Sequence, residues 1–391
     1  MVNIDYLYGI LNLDFWGYVL ATAVMLHLTL LAVTLYLHRD ATHRSVNLHP
    51  AVRHFFRFWL WITTGMTTKE WVAVHRKHHA RCETTEDPHS PVIYGLKKLM
   101  LEGAELYRIA ARDTDMVAKY GRGTPDDWME RNVYSLRNKG IIVIVLADLL
   151  LFGIPGITII GIQMLAIPLL AAGVINGVGH HTGYRNFECP DASRNILPWG
   201  ILVAGEELHN NHHAFPSSAK FSIRSWEFDI GWMYLRLLQA VGLAKVIRVA
   251  PQPMRGSPRK HIDLETARAV IVNRMHVLHD YARNVTAAVY REHVSEAGIE
   301  PSRFTRRLLS REPLLLDDRA QSKLQEILAS CQRLRTVHEY REQLRLLWCS
   351  NMSNERLLLH LKDWMARAEA SGIRVLQEFA GNLRGYTAQP A

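Results

Sequence analysis

The chain has few cysteines, and none are paired by spacing. Cys82, Cys189, Cys331 and Cys349 are scattered with no CxxC among them. That excludes a zinc knuckle and a disulfide framework and points to reduced thiols facing a cytoplasm. Met1 to Asp14 contains no lysine or arginine, so the positive n-region of a secretory signal is lacking, and the apolar runs that follow read as membrane spans. Gly177-Val-Gly179 is not completed to a dinucleotide fingerprint, no GxSxG elbow occurs, and no cysteine spacing suits an iron–sulfur cluster. The 46 Lys+Arg outnumber 37 Asp+Glu without forming one run. No nucleic-acid partner is therefore expected, and a generally positive surface suits anionic headgroups or a phosphate-bearing substrate.

Long apolar runs are present. Phe15 to Leu37 is about one bilayer crossing long. Gly140 to Gly179, broken at Gly153, Pro155 and Gly156, fits two helices and a tight turn. Spans are expected at about 15–37, 138–154 and 157–179. Phe55 to Met66 is shorter, has Arg53 and Arg57 at its start, and reads as a surface helix or one packed under the spans, with a further span as the alternative. Asp5 and Asp14 precede the first span, whereas Arg39, Arg44, Arg53, Arg57, Lys69, Arg76 and Lys77 follow it. This bias puts the N-terminus outside and the rest inside. His27 and Asp148, polar groups within the spans, are interior hydrogen-bonding contacts or marks of a site. Pro251, Pro253, Gly256 and Pro258 suggest a linker over 251–260. The expected fold is all-α: a membrane domain over 1–250 and a soluble helical domain over 261–391 that carries no catalytic motif.

Twenty histidines are many for this length, and four clusters hold the informative ones. They are His38-x4-His43, His75-x2-His78-His79, Asn176-x3-His180 and His209-x2-His212-His213. In HxxHH the histidines at i, i+3 and i+4 share one helix face, and neutral imidazole is a good ligand for iron, copper or zinc. His38 and His43 are five apart, about 140° round a straight helix, so each is expected to reach a different ion. Nine histidines also exceed what one ion accommodates. All four clusters can meet at the inner mouth of the spans. Zinc favours four ligands or fewer, often with sulfur, and no cysteine is clustered here. A pair of iron ions beside an apolar approach fits better and suits O2 chemistry on lipid chains. Asn176, one turn before His180, is placed to hydrogen-bond a metal-bound water or a neighbouring helix.

These motifs resemble the three histidine boxes of membrane fatty acid desaturases, over about Thr34 to Ser222. The acyl-CoA Δ9 (stearoyl-CoA desaturase-like) branch is the nearer one. The residues that carry this are Glu70-Trp71, Asp87-Pro88-His89, Asn176-x3-His180, Gly183-Tyr184-Arg185 and the string from His209 to Pro216. A bacterial inner-membrane form is the closest overall match.

The resemblance implies an integral membrane helical desaturase fold with a cytoplasmic helical cap and an active site on the cytoplasmic side of the cell inner membrane. It implies two ferrous ions (Fe2+) held by His38, His43, His75, His78, His79, His180, His209, His212 and His213, with Asn176 acting through water. The substrates implied are a fatty acyl-CoA and O2, and the product a cis double bond. Trp71 is expected to line the bend of an acyl tunnel or to be an interfacial anchor. Arg76 and Lys77 are expected to face CoA phosphates or to be ordinary inside charge. Lacking a dinucleotide fingerprint, a cluster-binding cysteine set and a His-Pro-Gly-Gly stretch, the chain needs an external reductase of the ferredoxin or ferredoxin-reductase type.

Two features depart from the animal pattern: the short segment before the first span, which suggests three spans where four are usual, and the additional C-terminal domain. A di-iron hydroxylase, a non-catalytic metal-binding receptor and a zinc hydrolase using Glu206 or Glu207 are the rival readings.

Overall fold

The computed structural model describes residues 7–349 and 352–387. Asp5 and the side chain of Cys349 lie outside them. The fold is all-α, with three short strand pairs beside the helices among the described residues. The chain divides into two compact units, one of residues 1–185 and 192–250, the other of 186–191 and 251–391.

In the first unit, Asp14 caps the opening helix by accepting from Gly17 N at 2.7 Å. The helix runs over Phe15–Thr42, long and apolar enough to cross a membrane. Burial changes along it. Phe15, Trp16, Val19, Leu20 and Val24 are exposed, as lipid-facing residues would be, whereas Thr29 to Thr42 are almost all buried. The winding changes at the same place, from α over Phe15–Leu31 to π over Ala32–Thr42.

A second candidate span is Ile154–His180, α-helical to Pro168 and π-wound over Leu169–Gly177. Arg137–Phe152 packs against it and exposes Ile142, Val143, Leu146, Leu149 and Leu150, although at 16 residues it is shorter than the two long helices. Gly153 is the hinge between Arg137–Phe152 and Ile154–Pro168. Its φ is +65°, and a Cβ there would meet Leu7 O at 2.1 Å, so only glycine fits.

Pro50–Thr64, which contains the shorter apolar stretch, packs Trp61 and Ile62 against Tyr134 and Ile144. Its Trp59 Nε1 donates to Thr29 Oγ1 at 2.9 Å. His27 Nε2 lies 3.1 Å from the Tyr234 hydroxyl, which makes it an interior contact to helix Ile230–Ala240. Asp148 is buried in Arg137–Phe152, remote in sequence from every histidine cluster.

The second unit is helical. Val277, Tyr281, Leu334, Val337, Leu361 and Trp364 lie in its core. Tyr281 O–H donates to Val337 O at 2.7 Å and Trp364 Nε1 to Tyr340 O at 3.0 Å, so both large polar aromatics are satisfied inside. Within the Pro-rich stretch after Pro251, Met254–Arg255 pairs antiparallel with Tyr386–Thr387.

Candidate metal centre

Helix Thr68–Arg81 carries His75, His78 and His79, and the six-residue helix His209–Ala214 carries His209, His212 and His213. The π-wound end of the first helix brings His38 and His43 to them. The expectation that these two point to different ions is corrected here. In a π turn the repeat is i→i+5, and His43 N donates to His38 O at 3.0 Å. Residues five apart therefore share one side, and the two rings stand 4.9 Å apart.

The imidazoles fall into two adjoining groups. In the first, His38, His43, His75, His79 and His212 offer nitrogens all within 4.8 Å of one another. The Nε2 separations are 3.0 Å for His38–His212, 2.9 Å for His212–His79, 3.1 Å for His79–His75 and 3.2 Å for His43–His75. Two nitrogens at right angles around an ion at roughly 2.0–2.1 Å stand roughly 3 Å apart, so the donor set fits a metal. The second group joins His78, His180 and His213 with Cys82, contrary to the expectation that no cysteine is clustered, and His209 Nε2 lies 3.0 Å from His180 Nε2. The groups touch where His79 stacks on His213 at 4.5 Å.

Three carboxylates set the imidazole orientation. Glu206 Oε1 lies 2.7 Å from His38 Nδ1, Asp87 Oδ1 3.0 Å from His78 Nδ1, and Glu83 Oε1 2.8 Å from His180 Nδ1. A carboxylate on Nδ1–H leaves the Nε2 lone pair for an ion. Sequence reasoning missed Glu83, saw Asp87 only as part of a string, and weighed Glu206 only as a hydrolytic base. Glu206 also accepts from Thr34 Oγ1 at 2.6 Å. Glu207 accepts from the Val203 and Gly205 amides. Both glutamates are engaged, which removes the sequence support for a hydrolase. Glu83 sits at φ +63° just past the end of the second-box helix, and this left-handed turn folds its carboxylate back onto His180.

Burial, followed by repulsion from neighbouring imidazoles, holds His75, His79, His209, His212 and His213 well below the ordinary histidine range. Burial does the same to His43, with His38 and Arg76 adding to it. The neutral form is the one that ligates metal. Burial pushes the Asp87 carboxyl up, but His78 outweighs this and brings it well below the carboxylate range.

The remaining expected residues divide. Trp71 stacks on His75 at 4.9 Å and stands edge-on to His38 at 6.0 Å, within the centre. Asn176 is half-buried, and its amide N–H donates to Ala171 O at 3.0 Å in its own helix. Arg76 is a correction. Its Nε donates to Thr42 O, its Nη1 to Tyr120 O and Arg122 O, and its Nη2 to Ala41 O and Thr42 O. Guanidinium has five N–H donors, so none remains for a phosphate.

The other motif residues build the frame. Tyr184 O–H donates to Glu227 at 2.7 Å, and Asn211 Nδ2, in the third box, donates to the same carboxylate at 2.8 Å. Arg39 forms a fully buried pair with Asp229 at 3.0 Å and lies over the Phe221 ring, which in turn packs on His38 and His212.

The family model described as "Fatty acid desaturase" matches residues 13–240, and one described as "Transposase" matches residues 263–389. The chain is similar to a probable chloroplastic lipid desaturase of Arabidopsis thaliana, 32% identical over 227 residues, 56% of this chain and 60% of that one. It is similar to an sn-1 stearoyl-lipid 9-desaturase of Synechocystis, 31% identical over 226 residues, 57% of this chain and 69% of that one. It is also similar to an icosanoyl-CoA 5-desaturase of Limnanthes douglasii, 31% identical over 233 residues, 58% of this chain and 63% of that one. The chain thus spans less than two thirds of the Arabidopsis and Limnanthes relatives. With the family model covering more than half of its length and the matched region holding all four histidine clusters, the chain is a membrane protein of the fatty acid desaturase family.

Proposed function

We propose that this protein inserts a cis double bond, at the Δ9 position, into a long-chain fatty acyl group at a di-iron centre. The observation that carries the reading is the division of the eight box histidines and His180 into two adjoining groups. One iron is assigned to His38, His43, His75, His79 and His212, the other to His78, His180, His209 and His213, with Asn176 near the latter through water. When bound, the metal pair supplies the reduction of O2 that removes two hydrogens from adjacent methylenes.

The chain's own residues prepare the site. Glu206, Asp87 and Glu83 hold the Nδ1 protons of His38, His78 and His180, which fixes those tautomers. Trp71 lies against His75 and His38, where it can set how far an acyl chain advances. The overall balance converts one CH2–CH2 unit, O2, two electrons and two protons into one alkene and two waters. An external reductase of ferredoxin type is the proposed source of the electrons. The bilayer placement proposed is N-terminus out, with the histidines at the cytoplasmic face of the cell inner membrane.

The proposed carrier is coenzyme A, as the branch resemblance implies. Glycerolipid is the second reading, favoured by the relative that bears a stearoyl-lipid name and by the engagement of Arg76 with backbone oxygens.

The test is reconstitution in lipid with O2, a ferredoxin reductase system and either stearoyl-CoA or stearoyl-glycerolipid, with products identified by mass spectrometry. A cis alkene from one carrier is expected, together with two irons per chain by elemental analysis. An alcohol in place of the alkene would overturn desaturation. Zinc alone, in protein from iron-replete cells, would overturn the metal assignment.

A further inference from the structure

We infer that Cys82 is a sulfur ligand of the second histidine group, so that the two ions this chain binds are chemically unequal. One is held by imidazole nitrogen alone, the other by imidazoles and one thiolate. The inference rests on the two-ion reading above.

Cys82 follows His78 by four residues, so the two share the face at the end of helix Thr68–Arg81. Its Sγ lies 3.9 Å from His78 Nε2, the nitrogen left free for an ion, and also 4.0 Å from both His180 Nδ1 and the Glu83 Oε1 that holds it. The donor atoms of His78, Cys82, His180 and His213 are all within 4.8 Å of one another. For an ion with sulfur at roughly 2.3 Å and nitrogen at roughly 2.1 Å, tetrahedral angles put the two donors roughly 3.6 Å apart. The observed 3.9 Å is therefore within a small side-chain adjustment of ligation.

The surroundings point the same way. His78 Nδ1 is occupied by Asp87, which directs Nε2 toward the sulfur side. Glu83, the residue after Cys82, fixes His180 through Oε1 and accepts from Ser90 Oγ through Oε2. The stretch Cys82-Glu83 thus acts on the second group twice, once through its thiol and once through its carboxylate. The first group is made only of histidines, and Cys331, among the described residues, joins no histidine group. Ligation converts the thiol to a thiolate and releases its proton to the buffer. It places one soft, negative donor on a single ion of the pair.

The experiment uses the full-length protein in detergent, stripped of metal and reloaded with Co2+. The expected result is a near-ultraviolet thiolate-to-cobalt charge-transfer band that is lost in Cys82→Ala and Cys82→Ser and kept in Cys189→Ala and Cys331→Ala. In the wild type, where no variant has to fold, alkylation of the Cys82 peptide is expected to be lost on Co2+ loading and to return on chelation. Two bound Co2+ without the band, a band that survives Cys82→Ala, or alkylation indifferent to Co2+ would each overturn the sulfur ligand while leaving the two-ion reading intact. A single bound Co2+ that still gives the Cys82-dependent band would support the ligand and overturn the two-ion reading instead.

Discussion

An imidazole can offer either ring nitrogen to a metal, and at this centre the choice falls to residues that are not ligands. Asp87 accepts from His78 Nδ1 and, through the same carboxylate, from the Glu83 and His89 amides. It therefore ties His78 to the loop that follows it. Replacing Asp87 by Asn weakens the charge-assisted bond, and outer partners of this kind are worth about 10–100-fold in metal affinity. Chelator competition is expected to show a loss of that size in Asp87→Asn, with His338→Ala in the second unit unchanged. At Trp71 the prediction concerns products. Its ring stacks on His75 and packs beside the apolar core, so Trp71→Ala should shift chain-length preference or double-bond position more than it lowers melting temperature. Unchanged products at wild-type rate would favour an anchoring role. Six of the nine histidines were legible in the sequence because HxxHH is a helical face pattern, and His38, His43 and His180 because they stand at the inner ends of apolar runs. Glu206 and Glu83 were not, because their partners His38 and His180 lie 168 and 97 residues away.

Among the helices, the apolar runs announced themselves but their winding did not. An apolar segment has the same composition whether α- or π-wound, and the widening over Ala32–Thr42 leaves no mark in residue type. That is why His38 and His43 were expected to diverge. The π end creates a further need. Backbone carbonyls at the end of a helix lack intrahelical donors, and Arg76 from the neighbouring helix supplies them to Ala41 O and Thr42 O while also holding Tyr120 O and Arg122 O. A positive residue in a basic segment reads equally well as phosphate contact, so spacing alone could not assign it. Removing this clamp should loosen His43 from the first group. Arg76→Ala is expected to cost about 1–3 kcal/mol in stability and to lower metal retention, with no selective rise in KM for acyl-CoA over acyl-lipid. A KM effect confined to acyl-CoA, with melting temperature and metal content unchanged, would restore the phosphate role.

At the scale of the molecule, the break in family matches between residues 240 and 263 brackets the boundary between the two compact units near Pro251. The histidine centre belongs wholly to the first unit, and its chemistry makes the stability of that unit depend on pH. An unfolded histidine titrates at about 6.5. In the folded chain burial, and then neighbouring imidazoles, hold His75, His79, His209, His212 and His213 well below that value, and burial also lowers His43. Below about pH 6.5 the unfolded state therefore binds more protons than the folded one, and unfolding becomes easier as pH falls. Each such histidine adds up to about 1.4 kcal/mol per pH unit to the slope. Asp87 works in a different window. Its lowered carboxyl contributes stability above about pH 4, so it does not oppose the trend between pH 5.5 and 7.5. Bound metal steepens the dependence, because ligation requires the same neutral rings. The melting temperature of the metal-free protein in detergent should fall steadily from about pH 7.5 to about pH 5.5. His→Gln replacement at His79 and His213 together should flatten the profile, since those positions would no longer take up protons on unfolding. A wild-type profile that is level, or that rises toward acid, would mean that the cluster accommodates charge in the folded state, contrary to its burial.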